Sequence, residues 1–218
     1  MIVLGGKAAA AQQAPTLSEP LARLFAEGVR AQKGGDLGLA EKNFIEVLRQ
    51  GGKVSFVYNN LGIVHQMRGD HARAVELFRE AARLQPDYVA PHILAGASLL
   101  AMGRVAEATR ELEFAVKLQP EEPLARLQLA KAFARAANFP ARIEQLRALR
   151  NLVPQEPEYA YQLGDAYLQF AGWCAREMTR IDPRSARVYQ MLGENYRVQA
   201  GRTELAIRAF KRAAQADP

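Results

Sequence analysis

Three histidines, one cysteine and a handful of glycine-rich and acidic clusters are the residues of this chain with catalytic or metal-binding potential. A zinc site needs three or four His, Cys or carboxylate ligands converging on one point, and His65, His71 and His92 offer no such spacing. Cys174 stands beside Trp173 with Arg176 as its one nearby cation, which is the setting of a structural cysteine rather than a nucleophile. Gly34-Gly35-Asp36-Leu37-Gly38 lacks the GxxxxGK[ST] pattern of a phosphate loop and no strand precedes it, so it reads as a turn between helices. Gly96-Ala97-Ser98 lacks the second half of a nucleophile elbow. The pairs Glu121-Glu122 and Glu156/Glu158 precede helical stretches, where negative charge complements the helix dipole. Glu76, Arg79, Glu80 and Arg83 form a solvated helix face with i,i+3 and i,i+4 pairs. These patterns support neither catalysis nor a cofactor or metal site.

The elements that position these residues follow from a period. Pro86, Pro120 and Pro154 stand 34 residues apart, and the same skeleton precedes each. Leu61-Gly62, Ala95-Gly96 and Leu129-Ala130 fall in one half of the unit, and Ala74/Phe78, Ala108/Leu112 and Arg142/Leu146 in the other. A repeat of this length is one supersecondary unit stacked on its copies, each burying its neighbour's apolar face. Six units follow: 21–54, 55–88, 89–122, 123–156, 157–185 and 186–218, each with a helix A and a helix B. Gly69-Asp70 ends helix A of the second unit, because glycine accepts the left-handed conformation that a β-carbon opposes. Gln85-Pro86 stops helix B. Small residues at Gly28, Gly62, Gly96, Ala130, Gly164 and Gly193 are expected to let helix A approach helix B closely.

These residues carry a resemblance. Tyr58, Leu61, Gly62, His65, Ala74, Phe78, Ala81 and Pro86, and again Tyr189, Leu192, Gly193, Tyr196, Ala206, Phe210, Ala213 and Pro218, follow the signature of the tetratricopeptide repeat (TPR) family. The resemblance covers the chain from about residue 21 onward. It implies an all-α, right-handed α-solenoid of about six helix-turn-helix hairpins. His65 and His92 then take slots that the family fills with aromatic residues, and parallel helices would separate them by about 10 Å along the axis.

Two departures from the pattern stand out. Only 29 residues separate Pro154 from Pro183, a deficit of five. The fifth unit is therefore expected to end helix A near Phe170 and use Gly172–Ile181 as a short helix B anchored by Trp173 and Met178. The sixth unit has one extra residue between Gly193 and Gly201, which lengthens helix A or its turn. At the far end, Ile207, Phe210 and Ala214 have no following helix to cover them. The preferred reading is an array that continues past Pro218; self-association through this uncapped helix, or a partner, is the alternative.

Composition bounds the partners. The net charge of +6, from 29 basic and 23 acidic side chains, is spread along the chain rather than concentrated. Nucleic-acid binding is not expected, although Arg142, Arg147 and Arg150 keep RNA on the list. No apolar run reaches the roughly 20 residues that cross a bilayer. Residues 1–20 form a tail in which Ala8-Ala9-Ala10 suits a signal-peptide cleavage site, while Ile2-Val3-Leu4 is too short for its apolar region. A leader remnant and a disordered tail both fit, so cytoplasmic and periplasmic or secreted locations stay open.

The resemblance implies a binding groove lined by the A helices. Its candidate residues are Phe25 and Val29 in the first unit, Asn59, Asn60 and Ile63 in the second, and Ile93 and Ala97 in the third. Leu127, Lys131 and Arg135 follow in the fourth unit, and Tyr161 and Asp165 in the fifth. Such a groove suits a peptide or protein segment with apolar anchors first and charged contacts later. The family's clamp for chaperone C-termini would need Lys and Asn, then Asn, then Lys and Arg. Here those positions hold Phe25 and Val29, Asn60, and Ala90 and Leu94, so only Asn60 fits. The expected function is a non-enzymatic protein-interaction scaffold; the alternative is the regulatory or substrate-docking arm of an enzyme whose catalytic domain lies beyond residue 218.

Overall fold

The computed structural model describes residues 17–216. The Ala8–Ala10 segment and Pro218 lie outside them, and so does the leader reading. Among the described residues there are eleven α-helices and no strand. They are α1 (Glu19–Lys33), α2 (Leu37–Arg49), α3 (Ser55–Met67), α4 (His71–Leu84), α5 (Val89–Ala101), α6 (Val105–Leu118), α7 (Pro123–Arg135), α8 (Phe139–Leu152), α9 (Pro157–Ile181), α10 (Ala186–Arg197) and α11 (Thr203–Ala216). Helices α3, α5, α7 and α9 begin at the first residues of the units read from the proline ladder. The chain divides into two compact units, one ending at Ala136 and the other beginning at Ala137.

In the first unit, α1–α2, α3–α4 and α5–α6 are antiparallel hairpins and α7 packs on α6. Successive A helices touch, α1 to α3, α3 to α5 and α5 to α7, so they form the tighter layer. The short turns have a physical cause. Gly35, Gly69 and Gly103 adopt φ of 85°, 81° and 73°, and Asp36 and Asp70 then cap the following helix by accepting from the Leu39 and Arg73 amides. Close approach is equally explicit. A β-carbon at Gly28, Gly62 or Gly96 would lie 2.7 Å from Phe44, 2.6 Å from Phe78 or 2.5 Å from Leu112. Gln66 of α3 reaches across to α5, donating to Ser98 Oγ at 2.8 Å.

The turn between α7 and α8 keeps the asparagine cap, Asn138 accepting from the Ala141 amide, but puts Ala137 at φ 54° where the earlier repeats have glycine. An alanine there costs about 1 kcal/mol in left-handed backbone. Ala137→Gly is therefore expected to raise stability by up to about 1 kcal/mol, read as a higher urea midpoint at unchanged m-value.

In the second unit, α8 packs on α9 and α10 on α11. The fifth repeat corrects the sequence reading: α9 is one continuous helix of 25 residues, with no turn near Phe170 and no short helix B. The positions equivalent to Gly69-Asp70 are Ala171-Gly172, so the left-handed glycine and the acidic cap are both displaced or lost. Trp173 still makes aromatic contacts, stacking with Phe170 at 6.0 Å and tilted against Phe139 at 6.2 Å, but it is 41% exposed and Met178 37%, so neither is a buried anchor. Gly164 is corrected as well. Nothing lies within 4 Å of a β-carbon there, because no helix B covers it. Gly164→Ala should stabilise the protein by about 1 kcal/mol, the helix-propensity difference, since the methyl group meets no obstacle. Thermal unfolding followed by circular dichroism checks it.

The extra residue of the sixth unit lengthens the turn, which runs from Val198 to Arg202, rather than α10. Phe210 points inward, within 2.6 Å of a β-carbon built on Gly193, so it belongs to the hairpin core and not to an uncapped face. Ile207, at 49% exposure, and Leu205 are the large apolar residues left outside on α11, and Ala214 is exposed as expected.

Candidate functional site

The twelve groove candidates do not gather into one site. Phe25 packs edge-on against Phe56 at 5.0 Å and tilted against Phe44 at 5.4 Å, and Val29 packs against the same core. Asn59 is only 4% exposed and its Oδ1 has no protein partner, so it faces the interior rather than a ligand. Asn60 donates to the Phe56 carbonyl of its own helix at 2.7 Å, and Ile63 packs on the Ala74–Phe78–Ala95 cluster. The first two repeats therefore use these positions largely for helix packing. Tyr161 stands on an open face of α9, and Asp165 is held by Arg142 at 3.0 Å; both belong to the second unit.

Ala97, Lys131 and Arg135 do come together. They line a cleft of about 420 Å³ between α5 and α7, with Leu100, Ala101, Gln128 and Ala134. Alanines at 97, 101 and 134 leave the room, and the two cations supply the charge. Arg135 spends one N–H on the Leu100 carbonyl at 3.1 Å, which pins its guanidinium at the cleft's edge with donors to spare. Lys131 is exposed. Leu127, one residue before Gln128, is half-buried and does not line the cleft.

A second cleft of about 470 Å³ follows along the same helix pair. Ile93, though mostly buried, contributes to its wall beside Val89, Ala90, Leu94 and Leu124, and its rim carries Asp87 and Glu122. Tyr88 also faces it, and burial raises its phenol above the usual range. From Ala90 to Ala101 the trough runs about 17 Å at the helical rise, which matches about five residues of extended peptide. Its acidic rim is at one end and its basic edge at the other.

Sequence reasoning missed Leu100, Ala101 and Ala134, although each follows a named neighbour by three or four residues on the same face. It also missed the inter-repeat turn, where Gln85, Asp87 and Gln119 line the second cleft. Carboxylates engage two of the three histidines, while the Nδ1 of His71 is buried with no hydrogen-bond partner. His65 lies between Glu41 at 3.4 Å and Asp70 at 3.2 Å, and His92 meets Glu111 at 2.9 Å. Hydrogen bonds from His92 and Arg79 hold the Glu111 carboxyl below its ordinary range. Among the described residues no three His, Cys, Asp or Glu side chains are placed to hold a metal ion, and no helix is long and apolar enough to cross a membrane. Arg142 and Arg147 are engaged with α9, through Asp165 and Gln169 and through the Tyr167 hydroxyl.

Comparison with known proteins gives one family. Models described as tetratricopeptide repeat match residues 55–88, 93–157 and 186–218, leaving out the first unit and most of the fifth. Among solved structures, MamA from residue 41 onward of Desulfovibrio magneticus RS-1 is 18% identical with a TM-score of 0.65, covering 93% of this chain and 97% of that one. A MamA RS-1 double mutant is similar at 19% identity and TM-score 0.64, with the same coverage. YrrB, described as a TPR protein with an unusual peptide-binding site, is 18% identical with a TM-score of 0.60, covering 73% of this chain and 85% of that one. At such identities the likeness is one of fold. No curated relative matches the sequence.

Proposed function

We propose that this chain, which belongs to the tetratricopeptide repeat family, is a protein-interaction scaffold without catalytic activity of its own, and that it holds a short extended segment of a partner in the α5–α7 trough. The observation that carries this reading is the convergence of Ala97, Lys131 and Arg135 on one cleft walled by small residues. Small side chains leave a concave apolar floor, and charge at its edge orients an otherwise uniform ligand. The segment has an apolar centre of about five residues, an acidic group over Lys131 and Arg135, and a basic or neutral group toward Asp87 and Glu122. YrrB shows that a neighbour of this fold carries a peptide-binding site.

Selection from a random peptide display library on the immobilised full chain tests the proposal. The expected result is enrichment of sequences with an acidic residue flanking an apolar core. Recovery no better than from bare support would refute it.

A further inference from the structure

The fifth repeat leaves a helix face uncovered. Tyr161, Gly164, Leu168, Ala171, Ala175 and Met178 recur at alternating intervals of three and four residues, the spacing of a coiled-coil seam, along 25 unbroken residues of α9. Tyr161 is 72% and Leu168 75% exposed, and the space over Gly164 is empty. In α1, α3, α5 and α10 the equivalent glycine is covered by a helix B side chain. Among the described residues no helix covers this face.

We propose that the occupant is a second copy of α9, docked antiparallel about a two-fold axis between Gln169 and Phe170. That register sets Leu168 of one copy on Ala171 of the other, lets the helices approach where Gly164 meets Ala175, and brings Tyr161 and Met178 together at the two ends of the seam. Charge agrees with it. Glu158, Asp165, Arg176, Glu177 and Arg180, the charged residues of α9, all fall off the seam at helical spacing. In this pairing Glu158 faces Thr179 and Asp165 faces Gly172, so no like charges oppose each other. Arg142 also turns the Asp165 carboxylate toward α8. The self-complementary, charge-free face is what distinguishes a second copy from a foreign helix, whose flanking charges would find few partners here. The inference is independent of the trough between α5 and α7.

Sedimentation of the full chain over about 1 µM to 1 mM tests it. The expected result is a reversible monomer–dimer equilibrium that Leu168→Glu weakens at least about tenfold. Ile207→Glu on α11 and the trough pair Lys131→Glu with Arg135→Glu should leave it unchanged. In a Cys174→Ala background, Gly164→Cys combined with Ala175→Cys should form a covalent dimer on mild oxidation. Each alone should not, because its own symmetry mate lies about 16 Å away along the axis. A monomer throughout, a dimer that survives Leu168→Glu, or one abolished by Ile207→Glu would overturn the proposal.

Discussion

Gly62→Leu is expected to destabilise the protein by about 3 kcal/mol, the upper end of overpacking costs. A β-carbon at Gly62 already lies 2.6 Å and 2.8 Å from two ring carbons of Phe78. That ring is fully buried among Ala74, Ala95, Ile63 and Leu94, so it has nowhere to retreat. Leucine adds three further carbons to the same gap. The α3–α4 hairpin would have to open, loosening the stack on both sides, since α2 packs on α3 and α5 on α4. Urea denaturation reads the loss directly. A double variant with Phe78→Ala should lose less than the sum of the two single changes, because each change relieves the other's clash or cavity. A Gly62→Leu midpoint within about 0.5 kcal/mol of the parent would contradict the packing account.

The other large effect concerns binding. Lys131→Glu together with Arg135→Glu should weaken a selected acidic peptide by about 3 kcal/mol, on the order of a hundredfold, because two attractions become two repulsions. Lys131 is exposed, so the difference should shrink as salt rises. The fold should survive, since the one structural bond at stake is Arg135 to the Leu100 carbonyl. Fluorescence anisotropy at low and high ionic strength separates this from a general loss of structure, which salt would not restore.

Much of the architecture was legible because the physics repeats. A proline every 34 residues, a glycine facing a helix B side chain and a glycine–aspartate turn each recur, and the helix starts at Ser55, Val89, Pro123 and Pro157 follow from them. The fifth repeat misled because Leu163, Gly164 and Tyr167 carry the signature of helix A while the turn chemistry after them is absent. The stop signal, not the face pattern, decides where a helix ends. Site residues were harder to read. Helix faces in a stacked array serve packing and binding together, and the spacing of Asn59, Ile93 and Lys131 does not say which side closes over. The burial of Asn59 and the exposure of Lys131 are settled by neighbouring helices. The cleft itself depends on Ala97, Ala101 and Ala134 being small, a signal of what is missing rather than of what is present.

Titrating one selected peptide into isotope-labelled full chain, and following amide shifts residue by residue, tests the scaffold reading most directly. Saturable changes centred on Ala97, Gln128, Lys131, Ala134 and Arg135 are the predicted outcome. Shifts confined to α9 or α11, or none at peptide excess, would contradict it.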